Sequence, residues 1–151
     1  LPIGTAVHFA EPMGDFVLPK DSTRPLLFVA GGMGIAPIYS MATYLEATKQ
    51  RRNTRLLYGA QNEEELVLLD VFQRCNIPYT PIVSKPSKKW TGEIGHLTTQ
   101  RILQATFDSD NSLIYIAGPE SFVEKLNNEL QVQGVPAHRI LTDFFLGYPR
   151  I

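Results

Sequence analysis

The segment LLFVAGGMGIAPIYSM, Leu26 to Met41, restricts the fold of this chain more than any other. Five apolar residues run directly into Gly31, Gly32, Met33 and Gly34, and an apolar pattern of helical period resumes after Pro37. From Pro25 to Leu45 no residue is charged. A membrane span is argued against by the glycines, by Pro37 and by the polar Tyr39, Ser40, Thr43 and Tyr44. The segment reads as a buried strand followed by a helix from Pro37 to about Lys49, with Pro37 at its first position.

The same rhythm recurs along the chain. TRLLYGA (54–60) reads as a second strand. Asn62 caps a helix with Glu65 three residues on and Leu66, Leu69 and Phe72 inward, running to Arg74. YTPIVS (79–84) is a third strand and Ser84 to Gly95 a loop, after which a helix begins at Thr98 and buries Ile102 and Leu103. SLIYIA (112–117) is a fourth strand that breaks at Gly118-Pro119. A helix marked by Phe122, Leu126 and Leu130 runs to Gln133 and is closed by Gly134. HRILTDFF (138–145) ends the series. Short strands alternating with helices imply an α/β fold: an open, doubly wound, five-stranded parallel sheet of order 3-2-1-4-5 over residues 24–151. Residues 1–23 fall outside this rhythm. AVHFAEPMGDFVLP alternates like antiparallel strand material around a turn at Pro12 to Asp15, and reads as the remnant of a preceding β domain. A chain that starts at Leu1 without methionine or signal pattern reads as a piece of something longer.

Composition removes several functions. With 151 residues the chain suffices for one core. Lys plus Arg number 14 against 15 Asp plus Glu, so no footprint for nucleic acid appears, and basic residues cluster only at Arg51-Arg52 and Lys88-Lys89. One cysteine, Cys75, permits neither an internal disulfide nor an iron–sulfur cluster, and suits the cytoplasm. His8, His96 and His138 lack ligand-like spacing and read as surface or structural residues, so no metal site and no catalytic triad is assigned.

A strand ending in Gly31-Gly32-Met33-Gly34 and reopening as a helix brings free backbone N–H groups and a helix dipole to one point, which suits a phosphate. A tight turn needing positive φ explains the same glycines. The standard dinucleotide fingerprint is not met: Pro37 stands where its third glycine or alanine belongs, and no acid ends the second strand to take a ribose diol. The second break, Gly118-Pro119 with Glu120 in the following first turn, tips the reading. Strands one and four of such a sheet are neighbours at the switch point, so both loops would line one nucleotide cleft.

GGMGIAP, LLYGAQNEEEL, WTGEIGHLT, AGPESFVEKL and DFFLGY, in this order, resemble the pyridine-nucleotide half of the ferredoxin-NADP reductase superfamily, in particular its bacterial oxygenase-reductase-like members. GTAVHFAEPMGDFVL resembles the closing strands of that family's flavin barrel. The resemblance implies that Gly31, Gly32, Gly34, Ile35 and Pro37 face the pyrophosphate and ribose of NAD(P)H, with Ala36 where many members carry threonine. It implies that Tyr58, Gly59 and Ala60 lie beside the adenosine, and that Ser84 and Lys85 meet its ribose or a 2′-phosphate. Gly118 and Pro119, with Glu120 and Phe122 after them, match the second loop, where Ala117 replaces a frequent cysteine. Phe145 or Phe144 resembles the aromatic that lies near the flavin.

The reading implied is an NAD(P)H-binding domain that delivers hydride to FAD on its own flavin domain, for onward transfer to an acceptor protein or domain. Such chemistry needs positioned cofactors and no protein nucleophile. Lys85, Lys88 and Lys89 read as a solvated loop rather than a 2′-phosphate grip, which leans toward NADH. The alternative is a non-catalytic nucleotide-binding or interaction module that keeps the reductase fold.

Overall fold

The computed structural model describes residues 2–7, 14–107 and 111–145. Six strands form one sheet: β1 (Leu26–Gly31), β2 (Thr54–Ala60), β3 (Tyr79–Val83), β4 (Glu93–Ile94), β5 (Leu113–Pro119) and β6 (Ile140–Phe145). Their order is β4-β3-β2-β1-β5-β6, and every pairing is parallel. Without β4 this is the expected order 3-2-1-4-5. The sheet therefore has six strands rather than five, because Glu93–Ile94 pairs with Ile82–Val83 inside the stretch read as a loop. Two residues carry no periodic signal. What fixes them is tertiary: the Arg101 guanidinium donates to Glu93 Oε2 at 3.0 Å and to Ile94 O at 3.1 Å, and Gly95 turns the chain away at φ 118°.

Helices α1 (Ile35–Ala47) and α2 (Asp70–Arg74) cover one face of the sheet. Helices α3 (Thr99–Ala105) and α4 (Glu120–Val132) cover the other. The central strands are thus apolar on both sides, as unbroken runs such as LLFVA require. Phe28, Tyr58 and Tyr115 are buried toward α1 and α2, and Leu27, Val29 and Ile116 toward α3 and α4.

Two helices differ from expectation. A 3₁₀ turn, Gly32–Gly34, precedes α1, so Pro37 is its third residue rather than its first. Proline is tolerated there because the N–H groups of a helix's first turn have no partner within the helix. The helix expected from Asn62 to Arg74 is broken. Asn62 Oδ1 does cap, accepting from Glu64 N and Glu65 N, but only a 3₁₀ turn, Glu63–Glu65, follows. The Tyr58 hydroxyl donates to Glu65 O at 2.9 Å, and Leu68 takes φ 60°, before α2 begins at Asp70. Helical spacing of Leu66, Leu69 and Phe72 is satisfied without a helix, since all three reach the same core.

Ahead of the sheet, residues 2–7 and 14–25 carry no strand. Pro12 and Met13 of the expected antiparallel turn lie outside the described residues, as do His8 and Leu146 to Tyr148 of the DFFLGY motif. Residues 16–24 are held against the sheet. Phe16 packs edge-on to Tyr115 at 5.2 Å, the Tyr115 hydroxyl donates to Val17 O at 2.7 Å, and Arg24 Nε donates to Asn111 O at 2.7 Å.

Candidate functional site

At the carboxyl ends of β1, β2 and β3 a cleft of about 340 Å³ opens. Gly31 ends β1 in it and Gly32 opens the 3₁₀ turn, Gly59 and Ala60 end β2, Ser84 follows β3, Pro119 ends β5, and Phe122 lies in the first turn of α4. This is where a parallel sheet leaves backbone polar groups free at its switch point. The two glycine loops are contiguous: a Cβ on Gly118 would lie 3.1 Å from Gly31 O and 2.9 Å from Phe122 Cδ1, and one on Gly31 would lie 2.9 Å from Phe122 Cε1. The phenyl ring thus lies against both glycines. Gly32, at φ 51°, has open space where its Cβ would stand. Gly34 is different. Its Cβ would fall 2.0 Å from Ala117 O, so this glycine lets the start of α1 press against the backbone of β5.

Other expected site residues stand behind or beside the cleft. Ile35 and Tyr58 are fully buried under it, and Gly118 is buried between β1 and Phe122. Ala36 lies in the first turn of α1, as does Pro37, which lines a separate groove against the N-terminal segment. Glu120 heads α4, where a carboxylate complements the dipole of the helix. Phe144 and Phe145 pair in register with Gly118 and Pro119 and are about half exposed. Lys85 continues the β2–β3 ladder by donating from its N–H to Gln61 O at 2.7 Å, and its side chain is absent from the cleft wall. Trp90 anchors its own loop, donating from Nε1 to Glu93 O and stacking over Gly92.

The cleft also contains residues that sequence reasoning passed over, chiefly Glu65, His96 and Lys125. Glu65 matters most. Its carboxylate folds back to the end of β2, with Oε2 accepting from Gln61 N and Oε1 from Asn62 Nδ2, each at 3.0 Å. An acid therefore does stand at the end of the second strand, delivered from five residues downstream by the 3₁₀ turn. The capping pattern Asn62-x-x-Glu65 was the signal: a glutamate at that position reaches back to the cap. Lys125 and His96 face the same space from α4 and from the turn before α3. Beside the cleft, Ser87 N donates to Glu63 Oε1 at 2.8 Å, and the Ser87 contacts hold the Glu63 carboxyl below its usual range.

Residues 28–128 match the family model described as oxidoreductase NAD-binding domain. The chain is 29% identical to the anthranilate 1,2-dioxygenase electron transfer component of Acinetobacter baylyi, over 95% of this chain and 43% of that protein. It is 31% identical to NADH-cytochrome b5 reductase 1 of Laccaria bicolor, over 87% of this chain and 46% of that protein. The chain thus spans less than half the length of these curated relatives. Among solved structures, a ferredoxin NADP+ reductase from Neisseria gonorrhoeae with bound FAD and NADP superimposes with a TM-score of 0.69 at 18% identity, over 87% of this chain and 61% of that one, a likeness of fold. Strand order, glycine cleft and family match agree: the chain belongs to the oxidoreductase NAD-binding domain family, the pyridine-nucleotide half of ferredoxin-NADP reductase-like flavoproteins.

Proposed function

We propose that the chain binds NADH across the carboxyl ends of its strands and presents it to FAD on a barrel domain whose last residues are 1–23, with residues 24–151 as the nucleotide domain. The observation that carries this reading is the cleft itself, where two glycine loops and a fixed carboxylate meet. The open space at Gly32 admits a pyrophosphate to the backbone. Gly31 and Gly118 let Phe122 form a flat apolar wall beside it. The dinucleotide supplies hydride from its nicotinamide ring. The residues of this chain bind and orient it; none is asked to donate or accept a proton. Phe145, beside Pro119 at the exposed end of β6, is the aromatic placed to meet the flavin domain. Electrons pass onward from that domain to an acceptor protein, so the chain alone binds nucleotide without turnover.

Preference for NADH rests on Glu65. A carboxylate at the end of the second strand accepts hydrogen bonds from a ribose diol and repels a 2′-phosphate. Lys85, the residue that resemblance offered to the phosphate, does not line the cleft. The naming of one relative as an NADH-cytochrome b5 reductase is in keeping with this. Calorimetric titration with NADH and with NADPH tests both parts. NADH is expected to bind the more tightly, and Glu65→Gln, which keeps the size of the side chain but removes its charge and turns one acceptor oxygen into a donor, to narrow the preference about tenfold. Tighter binding of NADPH by the native chain would overturn the cofactor assignment, and absence of binding by either nucleotide would overturn the cleft.

A further inference from the structure

We propose that Glu63 is a positioning residue for the choice of nucleotide: its carboxylate fastens the loop after β3 to the turn after β2, and so keeps Lys88 and Lys89 away from the ribose end of the cleft. The inference rests on the reading of the cleft as an NADH site and concerns residues that do not line it. Two segments meet beside that end. Residues 61–65 leave β2 and carry Glu65, and residues 84–92 leave β3 and place Ser84 in the cleft wall.

The loop is held unevenly along its length. Its first residues continue the β2–β3 ladder, with Ser84 N donating to Ala60 O at 3.1 Å and Lys85 N to Gln61 O at 2.7 Å. Its far end is tied to β4, where Trp90 Nε1 donates to Glu93 O at 3.1 Å. Between these anchors, the 2.8 Å bond from Ser87 N to Glu63 Oε1 is, among the described residues, the one hydrogen bond that joins residues 86–89 to anything outside the loop. A backbone N–H donating to a carboxylate is charge-assisted, and so stronger than the neutral bonds on either side of it. Ser87 in turn organises the residues after it. Its Oγ accepts from Lys89 N and its carbonyl from Trp90 N, each at 3.2 Å. Holding Ser87 therefore fixes the turn that carries both lysines.

Charge gives this clasp its consequence. Lys88 and Lys89 are exposed, and among the described residues neither has a carboxylate within ion-pair distance. Ser84 already stands in the cleft wall, and the chain from it to Lys88 can span up to about 14 Å when extended. A loop released at Ser87 has the slack to bring an ammonium group to a 2′-phosphate and offset the repulsion from Glu65. Clasped, the same lysines stay in solvent. Selection against NADPH then has two parts, one acid that repels the phosphate and another that withholds the cations, and both stand on the 3₁₀ turn Glu63–Glu65.

The test uses the 151-residue chain, whose single tryptophan, Trp90, lies within this loop. Acrylamide quenching of its fluorescence, without nucleotide, reads whether the loop is held. Calorimetric titration with NADH and with NADPH reads the choice. Glu63→Ala removes the bond to Ser87 and, because Glu63 belongs to neither apolar core, is expected to keep the native circular dichroism. In that variant quenching should rise, and the preference for NADH should narrow about fivefold through tighter binding of NADPH. Glu63→Gln keeps an acceptor oxygen for Ser87 N while removing the charge, and is expected to match the native chain in both readouts. Adding Lys88→Ala and Lys89→Ala to Glu63→Ala is expected to restore the preference while quenching stays high. Unchanged quenching or an unchanged ratio in Glu63→Ala, a glutamine variant that behaves as the alanine one, or no restoration on removing the lysines would each overturn the clasp and leave the cleft standing. Binding of neither nucleotide by the native chain would overturn the clasp's role together with the cleft, whatever the quenching shows.

Discussion

Gly32 and Gly34 stand two residues apart and are needed for different reasons. At Gly32 the backbone is left-handed at φ 51° and the Cβ position is open. Gly32→Ala should therefore cost about 1–2 kcal/mol of stability, measurable by urea denaturation, and place a methyl group in the open space proposed above for the pyrophosphate. Calorimetry should show NADH affinity falling at least about tenfold while the circular dichroism stays native. At Gly34 the obstacle is the Ala117 backbone, 2.0 Å from the added carbon, which cannot move without displacing β5. Gly34→Ala should cost about 3 kcal/mol or more and disturb both loops together. A Gly34→Ala protein with native stability would show that α1 and β5 are not packed as described.

Helix ends decide stability at the scale of elements. Lys49 occupies the left-handed position after α1, so Lys49→Gly should raise stability by about 1 kcal/mol, read as a higher urea midpoint with unchanged slope. Helices α1 and α2 are tied by Arg74, whose guanidinium reaches Glu46 from α1 and Asp70 four residues earlier on α2. That guanidinium holds both carboxyls below their ordinary values of 4.5 and 3.8. Depressed carboxyls stabilise the fold above those values, and the contribution disappears as pH falls through the lowered ones. Melting temperature should therefore decline below about pH 4.5, less steeply in Arg74→Met than in the native chain. Both groups are exposed, so the effect is small and shrinks with added salt.

For the whole molecule, residues 16–24 are bound against the sheet rather than trailing from it. Tyr115, buried in the middle of β5, donates its hydroxyl to Val17 O, and burial pushes its pKa up to about 12. A phenol whose folded value lies above its ordinary 10.0 stabilises the neutral form; that stability is complete below pH 10 and is lost as pH rises toward 12. Tyr115→Phe should lower stability by about 1 kcal/mol at neutral pH and flatten the alkaline decline. The measurement is thermal unfolding from pH 8 to pH 12. An unchanged alkaline slope would show that the buried phenol does not govern it.

Much of this architecture was legible along the chain. Unbroken apolar strands such as LLFVA, YTPIV and LIYIA, each followed by glycine, proline or a polar cap, demand a sheet covered on both faces, and local physics alone supplies that demand. The glycine loops were legible for the same reason, since a strand that ends in glycine exposes its backbone whatever surrounds it. What only the tertiary structure decided depends on groups distant in sequence. Glu65 enters the cleft because Tyr58 holds its carbonyl and Asn62 its carboxylate, and Glu93–Ile94 becomes a strand because Arg101 anchors it. Periodicity records which face of an element is buried; it carries no record of which other element's side chain will arrive beside it.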